Sequence, residues 1–160
     1  MDELIARADK LGALLKARGE TIAIAESSTG GLISAALLAV PGASAYFLGG
    51  AVVYTLASRR GLMAIGELPQ GMRASTEAYA LLLARTAKER MGASWALAET
   101  GASGPTGNRY GDAAGHSCFA VAGAREASAT LETGKSDRRQ NMNLFAAAAL
   151  DLLARTLGPT

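Results

Sequence analysis

The residues best able to do chemistry in this chain fall in two short stretches and one basic pair. Residues 21–31 read "TIAIAESSTGG", passing from β-branched and small apolar residues into Glu26, Ser27, Ser28, Thr29, Gly30 and Gly31. Residues 99–105 read "ETGASGP" and supply Thr100, Gly101, Ser103 and Gly104. Hydroxyls set among glycines suit an anionic or amide-bearing small ligand, because glycine lets it approach backbone N–H groups that favour anions. Arg138 and Arg139 begin the last helical pattern, where the helix dipole disfavours each cation by about 0.3–1 kcal/mol. Either the adjacent Asp137 or a ligand phosphate compensates them.

These groups need elements to hold them. Thr21 to Ala25 reads as a buried strand and Leu32 to Val40 as an apolar helix, so the hydroxyls sit on a strand-to-helix turn that Ser28 or Thr29 caps. Upstream, Leu4, Ile5, Ala8, Leu11, Leu14 and Leu15 share one helical face, predicting a helix from Asp2 to Arg18 stopped by Gly19. Pro41-Gly42 breaks the chain before a second strand, Gly49 to Thr55, a brief helix and a loop. Ser75 or Thr76 caps a helix running to Met91, with Tyr79, Leu82, Leu83 and Thr86 inward and Gly92 as its stop. "SWALAET", Ser94 to Thr100, makes a third strand.

Five glycines and a proline within "GASGPTGNRYGDAAG" predict a long loop, a kind that usually carries function. "HSCFAVAG" and "EASATLETG" form a hairpin, and Ser136 opens a final helix. The expected fold is α/β: a three-layer α/β/α sandwich whose sheet is mostly parallel with one antiparallel strand, a single domain over residues 1–160. In such a sheet both Gly-rich loops face the crevice at the strands' carboxyl edge.

Composition narrows the function. Sixteen basic and 14 acidic side chains leave a net charge of only +2, so nothing demands nucleic acid. No run is long and apolar enough to suggest a membrane span. One Cys and one His cannot make an ordinary zinc site, and the lone Cys118 fits a reducing cytoplasm. Neither Gly-rich loop spells a Walker A or dinucleotide fingerprint. His116 with Asp112 invites a serine triad, but a lone His entering an apolar strand is more often a structural residue.

"AESSTGGLISAALLAVPGASAYFLGGAVVYT", "ETGASGP" and "SDRRQNMNLFAAAALDLLAR" together resemble the C-terminal domain of the competence/damage-inducible protein CinA family. That family includes nicotinamide mononucleotide (NMN) deamidases, which convert NMN and water to nicotinate mononucleotide and ammonia. The resemblance spans nearly the whole chain. It implies a three-layer α/β/α fold, a homodimer, no cofactor or metal, a pyridine nucleotide as substrate and a role in pyridine nucleotide recycling. The further N-terminal domain of fused members has no counterpart in these residues.

The family's Glu-Ser-Cys-Thr-Gly-Gly stands here with Ser28 in place of the Cys. Its Pro-Gly-Ser-Ser turn corresponds to "PGAS", which implies Ser44 as the nucleophile. Its Tyr-Ser-Asn-x-x-Lys corresponds to "YTLASR", which implies Tyr54 as the proton relay and puts Arg59 at the lysine position. Lysine can shed its proton when desolvated, whereas guanidinium stays charged. The resemblance therefore implies an amidohydrolase built on Ser44, Tyr54 and Arg59, or a catalytically impaired nucleotide-binding homologue.

Overall fold

The computed structural model describes residues 1–158; the last two residues of the expected 1–160 unit lie outside them. The chain runs α1 (Asp2–Arg18), β1 (Ile22–Glu26), α2 (Leu32–Leu38), a 3-10 turn (Ala43–Ala45), β2 (Phe47–Val52), α3 (Leu56–Met63), α4 (Glu77–Met91), β3 (Trp95–Ala102), β4 (His116–Ala122), β5 (Ala127–Glu132) and α5 (Arg138–Leu157). The five strands form one sheet in the order β2-β1-β3-β4-β5. β1 pairs in parallel with β2 and β3, while β4 runs antiparallel to both β3 and β5. β4 is thus the single reversed strand.

A period-two pattern in the central strands builds the three layers. Ile22 and Ile24, Trp95 and Leu97, and Phe119 and Val121 point to one face and pack with α1, α2 and α5 around Phe145, Leu150 and Leu153. Ala23, Ala25, Ala96, Ala98, Ala120 and Ala122 point to the other, under Ala80, Leu83, Ala84 and Ala87 of α4. Large side chains hold three helices against the first face. Alanines let α4 approach the second closely, and both faces are filled, as a largely parallel sheet requires.

Local signals explain most boundaries. Gly19 (φ 63°) and Gly92 (φ 64°) end α1 and α4 in the left-handed conformation. The Thr76 hydroxyl accepts from Tyr79 N and starts α4. Four expectations shift. β2 covers Phe47–Val52 rather than Gly49–Thr55, because Thr55 caps α3 in a reciprocal pair with Ser58. β3 extends to Ala102, since Thr100 to Ala102 pair with His116 to Cys118. Asp137, not Ser136, caps α5 by accepting from Gln140 N at 2.8 Å. α2 ends at Leu38 and has no hydroxyl cap; the groups that satisfy its first turn belong to the site described next.

Candidate active site

The turn after β1 is organised by two carboxyl groups with no solvent exposure, Glu26 and Glu99. Glu26 ends β1, and its Oε1 and Oε2 accept from the backbone N–H groups of Gly31, Ile33 and Ser34, at 2.8, 3.2 and 2.9 Å. These are the first donors of α2, so a glutamate from the preceding strand does the work expected of Ser28 or Thr29. Gly30 (φ 64°) and Gly31 (φ 102°) provide the left-handed backbone that folds α2 back over Glu26.

Glu99, on the neighbouring strand β3, holds the other half of the turn. Its Oε2 accepts from Ser27 N and Thr29 N, both at 3.0 Å. Its Oε1 accepts from Ser28 Oγ at 2.5 Å and Ser117 Oγ at 2.9 Å. The Thr29 hydroxyl lies 2.7 Å from Glu26 and 3.1 Å from Glu99, bridging the two acids. Burial pushes the Glu99 carboxyl above the ordinary range, while the donors from Ser28, Thr29, Ser27 and Ser117 oppose it. Ser28 and Thr29 therefore spend their hydroxyls on this buried network, which positions Ser27.

Above the network lies a cleft of about 370 Å³ at the carboxyl edge of the sheet, a size typical of small-molecule sites. Ser27, Tyr54, Arg59, Thr100 and Gly101 line it with Ser75, Tyr79, Asn108, Arg109 and Tyr110. Two arginines and no carboxylate are in that lining, so the cleft favours an anion. Arg59 is buried; its Nη2 donates to Gly66 O at 2.8 Å, and its Nε has no partner among the described residues. Burial raises the Tyr79 phenol, and the nearby Arg59 opposes that rise. Tyr54 is exposed at the mouth, where its Oη accepts from Arg138 Nη2 at 3.2 Å.

Arg138 also donates to Gly104 O at 2.6 Å, tying α5 to the loop after β3. A Cβ at Gly104, where φ is 107°, would lie 2.6 Å from Ser136 O, and one at Gly101 would lie 2.5 Å from His116 O. Close packing of neighbouring backbone thus requires both glycines. Ser103 is buried on the same loop, and Arg139 is exposed on α5.

The loop from Ser103 to Gly115 brings Asn108, Arg109 and Tyr110 over the cleft. Asp112 anchors it: Arg73 donates to both Asp112 oxygens at 2.7 and 3.0 Å and lies 5.1 Å from the Tyr110 ring centroid. Arg73 holds the Asp112 carboxyl below its usual range. His116 braces the base, its Nε2 2.8 Å from Ser75 O and its Nδ1 in close contact with Glu132. Burial works to lower the His116 value, yet Glu132, Ser75 O and Asp112 raise it overall. His116 faces no serine hydroxyl in this network and holds the loop instead.

Ser44 stands apart. It is exposed in the 3-10 turn before β2, at the amino edge of the sheet, where Tyr46 O accepts from Ile22 N. The buried Tyr46, whose Oη donates to Leu37 O at 2.5 Å, fixes that turn. β2 separates Ser44 from Tyr54, about 20 Å of strand. One chain therefore gathers Tyr54, Arg59, Ser27, Thr100 and Gly101, with Arg138 at the rim, and leaves Ser44 at the far edge.

Sequence reasoning missed Ser75, Tyr79, Arg109 and Glu99. An acid inside the apolar run "WALAET" was the available signal for Glu99. A second recess of about 490 Å³, between α1 and α5, contains the half-exposed Arg7–Asp151 pair but no hydroxyl group. Among the described residues, no three or more His, Cys, Asp or Glu side chains gather as a metal-ligand set, and no helix is long and apolar enough to cross a membrane.

This arrangement has relatives. The CinA C-terminal domain family model matches residues 5–157. CinA-like proteins from Salinibacter ruber (strain DSM 13855 / M31) and Prochlorococcus marinus (strain MIT 9313) are 38% and 37% identical over 92% and 90% of the chain. The chain spans only 36% and 34% of their lengths, about a third. Among solved structures, the competence/damage inducible protein CihA from Agrobacterium tumefaciens matches with a TM-score of 0.88 and 28% identity, over 98% of this chain and 96% of that one. A CinA superfamily protein from Escherichia coli matches with a TM-score of 0.86 and 26% identity, over 94% and 88%. Sequence and architecture agree, and the chain belongs to the CinA C-terminal domain family.

Proposed function

We propose that this protein is an amidohydrolase acting on a pyridine nucleotide amide, with NMN as its substrate. The observation that carries the reading is the cleft itself: Tyr54, Arg59, Ser27 and Thr100 share one wall system with the aromatic rings of Tyr79 and Tyr110. The rings suit a flat heteroaromatic base, and Arg109, with Arg138 at the rim, suits its phosphate.

In the proposed reaction a serine Oγ attacks the carboxamide carbon as its proton passes to Tyr54 Oη and the Tyr54 phenol proton passes on to the amide nitrogen. The tetrahedral intermediate collapses, the C–N bond breaks, and the protonated nitrogen leaves as ammonia. Water then hydrolyses the acyl-enzyme to the carboxylate. Arg138, donating to Tyr54 Oη, holds the phenol oxygen in place for that relay, and Arg59 supplies a fixed positive charge for the developing oxyanion. Neither arginine serves as the base, because guanidinium retains its proton.

A second reading, a nucleotide-binding homologue with little turnover, is favoured by the buried Arg59 at the position where the family carries lysine. Calorimetric titration with NMN and with nicotinamide riboside tests recognition separately from turnover. The amidohydrolase reading requires NMN to bind more tightly than the riboside; equal affinity removes the phosphate from it.

A further inference from the structure

Ser75 holds a backbone conformation that suits glycine. Among the described residues, Ala64 (φ 55°) and Ser75 (φ 60°) are the ones other than glycine in the left-handed region, where a β-carbon is strained. Ala64 ends α3, an ordinary place for that conformation. Ser75 ends no helix and stands one residue ahead of Thr76, the cap of α4.

Neighbouring strands lock it there. Ser75 N donates to Thr100 Oγ1 at 3.1 Å, and Ser75 O lies 2.8 Å from His116 Nε2 and accepts from Cys118 Sγ at 3.6 Å. On either side, Arg73 Nη1 donates to Ala74 O, and the Thr76 hydroxyl donates to Arg73 O. Both backbone groups of Ser75 are thus spent on β3 and β4. Its hydroxyl is not: it has no hydrogen-bond partner among the described residues, although Ser75 is only 5% exposed and lines the cleft. Strain kept in place by several contacts around a partnerless polar group marks a ligand contact.

The cleft's other groups indicate what that hydroxyl takes. Arg59 and Arg109 only donate, and no carboxylate lines the cleft. Tyr54 Oη accepts from Arg138, Tyr110 Oη from Arg109 and Thr100 Oγ1 from Ser75 N. Free side-chain acceptors are therefore scarce, and a primary carboxamide brings two N–H donors that need them. In the proposed reaction Arg59 faces the amide oxygen, so the acceptor for the nitrogen beside it must stand close to Arg59. Ser75 lies four residues ahead of Tyr79, the phenol next to Arg59.

We propose that Ser75 Oγ accepts a hydrogen bond from the amide nitrogen of the bound ligand, selecting primary carboxamides over groups of the same shape that lack N–H. This assignment rests on the reading of the cleft as a pyridine nucleotide amide site.

The test compares NMN with 3-acetylpyridine mononucleotide, in which a methyl group replaces the amide nitrogen. Titrations are made in Tyr54→Phe protein, where slow turnover spares the NMN. With Ser75 intact, NMN should bind about 10-fold more tightly than the ketone, the scale of one buried hydrogen bond. Adding Ser75→Ala or Ser75→Gly should weaken NMN to the level of the ketone and leave the ketone nearly unchanged. Ser75→Gly, relieved of strain, should melt at or above the temperature of its parent. No preference for NMN with Ser75 intact, a preference that survives both substitutions, or equal weakening of both ligands overturns the contact. A Ser75→Gly protein melting well below its parent also overturns it, by making the hydroxyl a structural prop. NMN bound with this preference by a native protein that releases no ammonia removes the amidohydrolase reading and leaves the contact standing; no binding of NMN removes both.

Discussion

Ser28 Oγ donates to Glu99 Oε1 across 71 residues of chain, and both side chains are sealed from solvent. This contact, with the N–H groups of Ser27 and Thr29 on the same carboxyl, makes the turn after β1 a rigid floor for the cleft. Glu99→Ala orphans those donors at about 1–3 kcal/mol for each group left unsatisfied. Thermal unfolding should show a loss of several kcal/mol, and Glu99→Gln a smaller one, since the amide keeps an acceptor. An unchanged melting temperature for Glu99→Ala would show that the floor does not depend on this residue.

Arg138 joins Tyr54 Oη to Gly104 O at the cleft mouth. If it takes the nucleotide phosphate, Arg138→Ala should weaken NMN by about 10–100-fold, the range of a lost charge-assisted hydrogen bond. Nicotinamide riboside should lose much less. Equal losses in parallel titrations would confine Arg138 to holding the loop.

Arg59 cannot accept a proton, and a lysine there can. Arg59→Lys should raise the rate of ammonia release, because general-base assistance typically contributes about 10²–10⁴-fold. The gain should vanish when Tyr54→Phe is added, since groups acting as a unit are not additive. A slower Arg59→Lys enzyme would mean that the fixed charge, bonded to Gly66 O, is itself productive.

Both ring nitrogens of His116 face acceptors, Glu132 and Ser75 O, an arrangement that suits the doubly protonated ring. Its folded-state value is raised above 6.5, so folding favours the protonated form. The stabilisation is complete below the unfolded value and is lost as pH rises through the folded one. Asp112, Glu132 and, through Asp112, Arg73 are the charged groups facing it. Melting temperature should fall as pH rises above the ordinary imidazole value of about 6.5, and His116→Gln should flatten that slope. A native protein whose slope matches that of His116→Gln would contradict this role.

How far the sequence revealed this molecule depended on whether a signal was local. The amphipathic face of α1, the stops at Gly19 and Gly92 and the alternation "IAIA", "WALA" and "FAVA" are each set within one element, and they led to the correct layers and strand directions. β2 was misplaced because Gly49 and Gly50 carry no side-chain pattern, while Thr55 has high β propensity yet serves as a cap. Glu26 looked like a ligand-facing acid because nothing within the turn reveals that α2 folds its N–H groups back onto it. Glu99 and Arg109 belong to the floor and roof of the cleft through contacts across the sheet and over a long loop, which no single window contains. The distance between Ser44 and Tyr54 became visible only once β2 was known to run between them.

Ammonia release from NMN, measured for the native protein beside Tyr54→Phe, tests the proposed activity most directly. Native protein should release ammonia and nicotinate mononucleotide in equal amounts. Tyr54→Phe should lower the rate by about 10²–10⁴-fold, with little change in melting temperature because Tyr54 is 60% exposed. No ammonia from native protein saturated with NMN, or equal rates from both proteins, would contradict it.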